Sequence, residues 1–185
     1  IWCFYTLIIL GIFFLFMSIK KGWIGYMPPL DELQSPISKY ASQVFSADGT
    51  LLGTWSRNEN RVFVDYDSIS PYIFDALVAT EDVRFYEHSG IDVRALGRAI
   101  VKRGILGHKE AGGGSTITQQ VIKNTYLTQE KSFSRKIVEV LLAPEIEKKY
   151  SKADIMEFYC NTNFYGNRCY GVQAASRYYF GKDAA

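Results

Sequence analysis

Three acids and a histidine fall within eight residues of the string Glu81-Asp82-Val83-Arg84-Phe85-Tyr86-Glu87-His88, which Ser89-Gly90 closes. An apolar helical stretch leads into it and a glycine turn leaves it, so a carboxylate there stands beside an aromatic wall that can tune its proton affinity. That suits a general base. The spacing alone fits a solvated charge cluster at a helix end equally well. A zinc site is disfavoured, because His88 and His108 are the only histidines and lack a zinc-ligand spacing.

A second string, Gly112-Gly113-Gly114-Ser115-Thr116-Ile117-Thr118-Gln119-Gln120-Val121-Ile122-Lys123-Asn124, reads as a glycine run opening a helix capped by Ser115. On that helix Thr116, Gln120, Lys123 and Asn124 share one face, while Ile117 and Val121 point elsewhere. The strip is either a solvated face or a surface for a sugar and a phosphate, with backbone N–H groups open to an anion at the helix start. A phosphate-binding P-loop is excluded, since after Gly107 and Gly112 that motif requires Lys where Gly113 stands.

In a third string, Arg135-Lys136-Ile137-Val138-Glu139-Val140-Leu141-Leu142-Ala143, Glu139 interrupts an apolar run. It must be paired in the interior or turned to a cleft, because burying it alone is costly. Arg135 stands one turn away, and a structural Arg–Glu bridge gives the same pattern. Pro144 predicts a kink or an end to this helix. A fourth string, Ser151 to Asn161, has Ile155 and Tyr159 spaced for a core face and a turn shaped by Asn161 and Gly166. A fifth, Arg177 to Lys182, also reads as packing.

The elements that must position these residues follow from patterning. Ser70 before Pro71 opens a helix with an apolar stripe of Ile73, Ala76 and Leu77. Asp92, Ser115, Ser134 and Ser151 are the expected caps of four more helices. Upstream, Val44 to Leu52 reads as two short strands about Asp48-Gly49, with Arg61 to Val64 as a third. The fold class is therefore mainly α with a short N-terminal β segment.

With 185 residues, 48% of them apolar, the chain can bury one sizeable core, and a net charge of +2 gives no basic field for a nucleic-acid partner. Ile1 to Ile19 carries no charge, and at the helical rise it spans about 28 Å, close to the roughly 30 Å hydrocarbon core of a bilayer. Trp2, Tyr5, Trp23 and Tyr26 flank it, with Lys20 and Lys21 at its C-terminal end. The run exceeds a signal-peptide core and lacks a cleavage site, so a single membrane-spanning helix is expected over 1–19. A connector with Pro28, Pro29 and Pro36 follows over 20–69, then the main domain over 70–185. Lys20 and Lys21 by themselves would favour a cytoplasmic body. Cys160 and Cys169 could pair or remain two thiols.

Taken in order, the five strings resemble the motif series of the peptidoglycan glycosyltransferases, found as stand-alone membrane enzymes and as the first module of class A penicillin-binding proteins. The strings Glu-Asp-x-x-Phe-x-x-His-x-Gly, Gly-Gly-Ser-Thr-Ile-Thr-Gln-Gln and Arg-Lys-x-x-Glu occur here in full. The resemblance implies a lysozyme-like glycosyltransferase domain that polymerises lipid II by inverting transfer, releasing undecaprenyl pyrophosphate. It places the body outside the bacterial cytoplasmic membrane, with a further apolar surface dipping into lipid, for which Gly97 to Gly107 is the candidate. It also implies a domain continuing past Ala185.

By the same resemblance, Glu81 matches the catalytic base and Glu139 the second essential acid. Lys123, Arg135 and Lys136 match the cationic side, and Asp82, Phe85, His88, Thr116, Gln120 and Asn124 match positions that orient substrate or the inhibitor moenomycin. The expected partners are lipid II, the growing glycan chain, the membrane and other cell-wall synthesis or division proteins. A divalent cation, Mg or Mn, is expected near the pyrophosphate, and no organic cofactor. Two other readings compete: a lysozyme-like glycan hydrolase, and an inactive membrane-tethered glycan-binding protein.

Overall fold

A computed structural model of the chain describes residues 2–23, 42–49, 51–55, 60–99, 101–102, 107, 113–127 and 132–185. The prolines of the connector, His108, Gly112 and most of the apolar residues in the expected membrane-dipping segment lie outside them. Seven α-helices are described: α1 (Trp2–Lys20), α2 (Pro71–Glu81), α3 (Val93–Ala99), α4 (Ile117–Thr125), α5 (Phe133–Lys149), α6 (Lys152–Thr162) and α7 (Val172–Phe180). Four short strands accompany them: β1 (Ser42–Phe45), β2 (Leu51–Trp55), β3 (Asn60–Arg61) and β4 (Cys169–Tyr170).

The core forms where α4 packs on α5 and α6. Ile117, Val121 and Ile122 of α4 meet Val138, Leu142 and Ile146 of α5 and Ile155 and Met156 of α6, all at 2% exposure or less. Phe85 reaches into the same cluster from the α2–α3 loop and is fully buried. Burial of this order contributes roughly 2 kcal/mol per large side chain, enough to fix the three helices against one another. The C-terminal end folds back, with the Ser70 amide donating to Ala184 O at 2.8 Å and the Ala184 amide to Gln173 Oε1 at 2.9 Å.

α1 is a helix as expected, and its last turn is docked: Ser18 and Ile19 are buried, and α1 packs on α5. Among the described residues no helix is both long and apolar enough to cross a membrane, so α1 stands as a helix and not as a demonstrated span.

Several local expectations are corrected. The hairpin of β1 and β2 forms about Asp48-Gly49, but the third strand does not extend to Val64. It is only Asn60–Arg61, and it pairs in parallel with β4, which the sequence pattern did not announce. The reason is Asn161: its side chain accepts from the Val64 amide and donates to Val64 O, both at 2.9 Å, which removes Val64 from any ladder. Asn161 is thus a buried clamp within α6 and not a turn residue. Thr116, not Ser115, caps α4 through a reciprocal box with Gln119, and Ser132, not Ser134, caps α5. In α2 the buried residue is Phe74, with Ile73, Leu77 and Val78 half-buried and Ala76 exposed.

α5 also continues through Pro144 to Lys149. Proline removes one backbone donor, yet Val138, Leu142, Ala143 and Ile146 remain buried on both sides of it and hold the helix in one piece. Gly90 lies against this point with φ +90°, where a Cβ would stand 2.6 Å from Ala143 C and O and 2.9 Å from Pro144 N. The α2–α3 loop therefore touches the α5 backbone itself.

Candidate active site

The C-terminus of α2 delivers Glu81 to the surface, and the chain then turns inward through Asp82. Asp82 is buried, and its Oδ2 accepts from the Ile117 amide at 3.1 Å and pairs with His88 Nε2 at 2.9 Å. His88 Nδ1 accepts from the Gly90 amide at 3.2 Å, so the proton of the neutral ring sits on Nε2 and is donated to Asp82. Thr116 Oγ1 donates to Gly90 O at 2.7 Å. These bonds tie the α2–α3 loop to the start of α4. Asp82, His88 and Thr116 are thereby committed to holding that junction, while Asp82 and Thr116 also line the cavity shared with Gln120 and Lys123.

A cavity of about 470 Å³ opens beside the junction, lined among others by Glu81, Asp82, Arg84, Arg98, Gln120 and Lys123. Glu81 is exposed at this cavity and accepts a hydrogen bond from Gln120 Nε2 at 2.8 Å. Its charge, after burial, helps push the Tyr159 hydroxyl up to about 12. Arg84 pairs with Asp92 at 2.6 Å. Burial opposes ionisation of Asp92, but the Ala95 amide and the Arg84 guanidinium outweigh it and hold the carboxyl below its usual range. An exposed carboxylate facing three cationic side chains across a concave surface can take a proton while the cations hold an anionic leaving group.

The third string is assembled separately. Glu139 is 3% exposed; its Oε2 accepts from Lys136 Nζ at 2.6 Å, and its Oε1 lies 3.3 Å from Arg135 Nε. Lys136 also donates to Ser115 Oγ at 2.9 Å and Gln119 Oε1 at 3.2 Å. Arg135, Lys136 and Glu139 do not line the cavity, and Ser115, which does, is their link to it. Phe85 and His88 do not line this cavity, and His88 lines a second one of about 290 Å³ with Arg84, Asp92 and Arg94; Asn124 donates to Asn163 Oδ1 across α4 and α6.

Arg84, Arg98, Asp92 and Ser115 line the cavity and were not anticipated. Asp92 was recognised as a cap, and Arg98 lies on the helix it caps; that placement was the available signal. The described residues offer no cage for a divalent cation: no cluster of three or more His, Cys, Asp or Glu could hold one. Asp82, Asp92 and Glu139 already have protein partners. Both Cys160 and Cys169 are buried free thiols.

The family model described as transglycosylase matches residues 48–185. Penicillin-binding protein 1A of Neisseria lactamica is 43% identical over 157 residues, covering 85% of this chain and 19% of its own length. Penicillin-binding protein 1F of Bacillus subtilis is 48% identical over 125 residues, 68% of this chain and 17% of its own. Penicillin-binding protein 1A of Aquifex aeolicus is 39% identical over 182 residues, 95% of this chain and 25% of its own. The chain thus spans at most 25% of the length of these relatives.

Proposed function

Because the chain belongs to the transglycosylase family, we propose that it is a peptidoglycan glycosyltransferase that polymerises lipid II into glycan strands. The observation that carries this reading is Glu81, an exposed acid held by Gln120 at a cavity that also presents Arg84, Arg98 and Lys123. In the reaction, the acceptor's sugar hydroxyl attacks the anomeric carbon of the growing chain. Its proton passes to Glu81, the new C–O bond inverts the centre, and the bond to the pyrophosphate breaks with its electron pair. Lys123 and Arg98 face the cavity as the cations for the departing phosphate oxygens.

Arg135, Lys136 and Glu139 serve a different task in this reading. Lys136, anchored on Ser115, Gln119 and Glu139, keeps the start of α4 fixed to α5, and with it the cavity floor. We also read α1 as the membrane anchor of an extracytoplasmic body: Leu7, Ile9, Leu10, Ile12, Phe13 and Phe14 are all more than half exposed, an apolar surface that lipid would cover. Flotation of the chain with liposomes, lost on deleting residues 2–17, tests the anchor.

The reaction is tested by incubating the full chain in detergent with labelled lipid II and, separately, with finished peptidoglycan. Chain growth blocked by moenomycin is the expected result. Shortening of finished glycan would make it a hydrolase, and binding without turnover a glycan-binding protein.

A further inference from the structure

We propose that Lys152 is a positioning residue for the proposed transfer, fixing the loop that carries Phe85 and His88, and through it Glu81, against α4. The inference rests on the reaction read above. Lys152 opens α6, a segment that by its sequence is mere packing. Its ammonium donates to His88 O at 2.8 Å, pairs with Glu147 of α5 at 2.7 Å and stands 4.3 Å from the centroid of the Phe85 ring. Glu147 in turn accepts from Thr118 Oγ1 of α4 at 2.5 Å. One cation therefore joins the α2–α3 loop, α4, α5 and α6.

The chemistry of these contacts calls for a cation with several donors. An ammonium has three donors and no acceptor, and here it meets a carbonyl, a carboxylate and the negative face of an aromatic ring. The side chains of Lys152 and Glu147 are 25% and 6% exposed, so the pair is largely withdrawn from solvent. A helix that only needed to pack would place an apolar residue there. The carbonyl that Lys152 grips belongs to His88, whose ring holds Asp82, and Asp82 holds the Ile117 amide. Asp82 directly follows Glu81, which Gln120 of α4 holds from the other side. Displacing His88 would therefore shift the carboxylate relative to the cations of the cavity. Lys152 does not line the cavity, so it acts through the loop and not on substrate.

The test compares the full chain in detergent with three variants. Lys152→Met combined with Glu147→Gln removes both charges, leaving no buried ion unpaired. Lys152→Arg keeps the cation, and Lys152→Gln keeps a donor without charge. In the folded double variant, kcat for lipid II polymerisation should fall at least about tenfold with KM changed less than about threefold. Exchange protection of the Gly90 and Ile117 amides should fall with it. Lys152→Arg should restore most of both, and Lys152→Gln should lie between. If the double variant does not fold, Lys152→Gln reads the same split. Wild-type kcat with undiminished protection, or a Lys152→Arg as impaired as the double variant, overturns the proposal. A wild-type chain that fails to elongate lipid II refutes the reaction instead, while amide protection still reports whether Lys152 holds the loop.

Discussion

Gln120 donates from Nε2 to Glu81 Oε2 over 2.8 Å, so the acid that ends α2 is oriented by the middle of α4. Glu81→Gln keeps the side chain's shape and its ability to accept from Gln120, yet it cannot take a proton. Its initial rate of chain growth should drop by about 10²- to 10⁴-fold, the usual contribution of a positioned base. Gln120→Ala leaves the carboxylate in place but unheld, and about a tenfold loss is expected. A Glu81→Gln protein that is folded by circular dichroism and polymerises at the wild-type rate would remove Glu81 from its role.

Lys136 and Glu139 are expected to be structural before they are chemical. Removing the acid by Glu139→Ala takes the shared carboxylate away from two half-buried cations, Arg135 and Lys136. A loss of about 3 kcal/mol is expected, at the low end for buried pairs because Lys136 keeps 38% of its side chain exposed. Glu139→Gln retains an acceptor for Lys136 and should lose less. Urea titrations give both values, and equal stability of Glu139→Ala and wild type would show the cluster to be idle.

Asp92 makes stability depend on acid. Its folded-state carboxyl lies below the ordinary value of 3.8, so its stabilising effect is complete above that value and is lost as pH falls through the folded one. Asn can still cap a helix, so Asp92→Asn isolates the charge. The stability gap between wild type and this variant should be constant near neutrality and shrink below about pH 4. A gap that persists unchanged in strong acid would contradict the Arg84 pairing.

The thiols should be silent. Burial, assisted by the Glu157 charge, pushes Cys160 up to about 12, and Cys169 is 5% exposed. In a Cys3→Ser background, a thiol reagent at about pH 8 should label neither residue until denaturant is added, since the thiolate is the reactive form. Rapid labelling of the folded chain would be the contrary result.

Legibility in the sequence followed the range of the interaction. Caps with a local signature were readable: Ser151 with Asp154 forms a capping box, Asp92 accepts from the Ala95 amide, and Pro71 opens α2. Where two caps lay within two residues of each other, sequence favoured Ser115 and Ser134 while the structure uses Thr116 and Ser132. At Ser115 the choice is made by a distant partner, since Lys136 occupies its hydroxyl. The Asn161 clamp on Val64 joins residues 97 apart, and β4 pairs with a strand more than a hundred residues earlier, which no local pattern encodes. For the site, the motif strings singled out Glu81, Asp82, Thr116, Gln120 and Lys123, all at the cavity. They did not show that Glu139 and its cations form a separate knot, because spacing along α5 carries no information about which side of α4 it meets.

The approach of Gly90 to α5 also limits how this protein can vary. Its neighbours there are the carbonyl carbon and oxygen of Ala143 and the nitrogen of Pro144, atoms that every amino acid supplies at those positions. A side chain introduced at 90 therefore cannot be accommodated by trimming a facing side chain, and no exchange at 143 or 144 should act as a second-site suppressor. Rescue would require the helix axis itself to move, and in an evolutionary experiment the expected revertants of Gly90→Ala are true reversions to glycine.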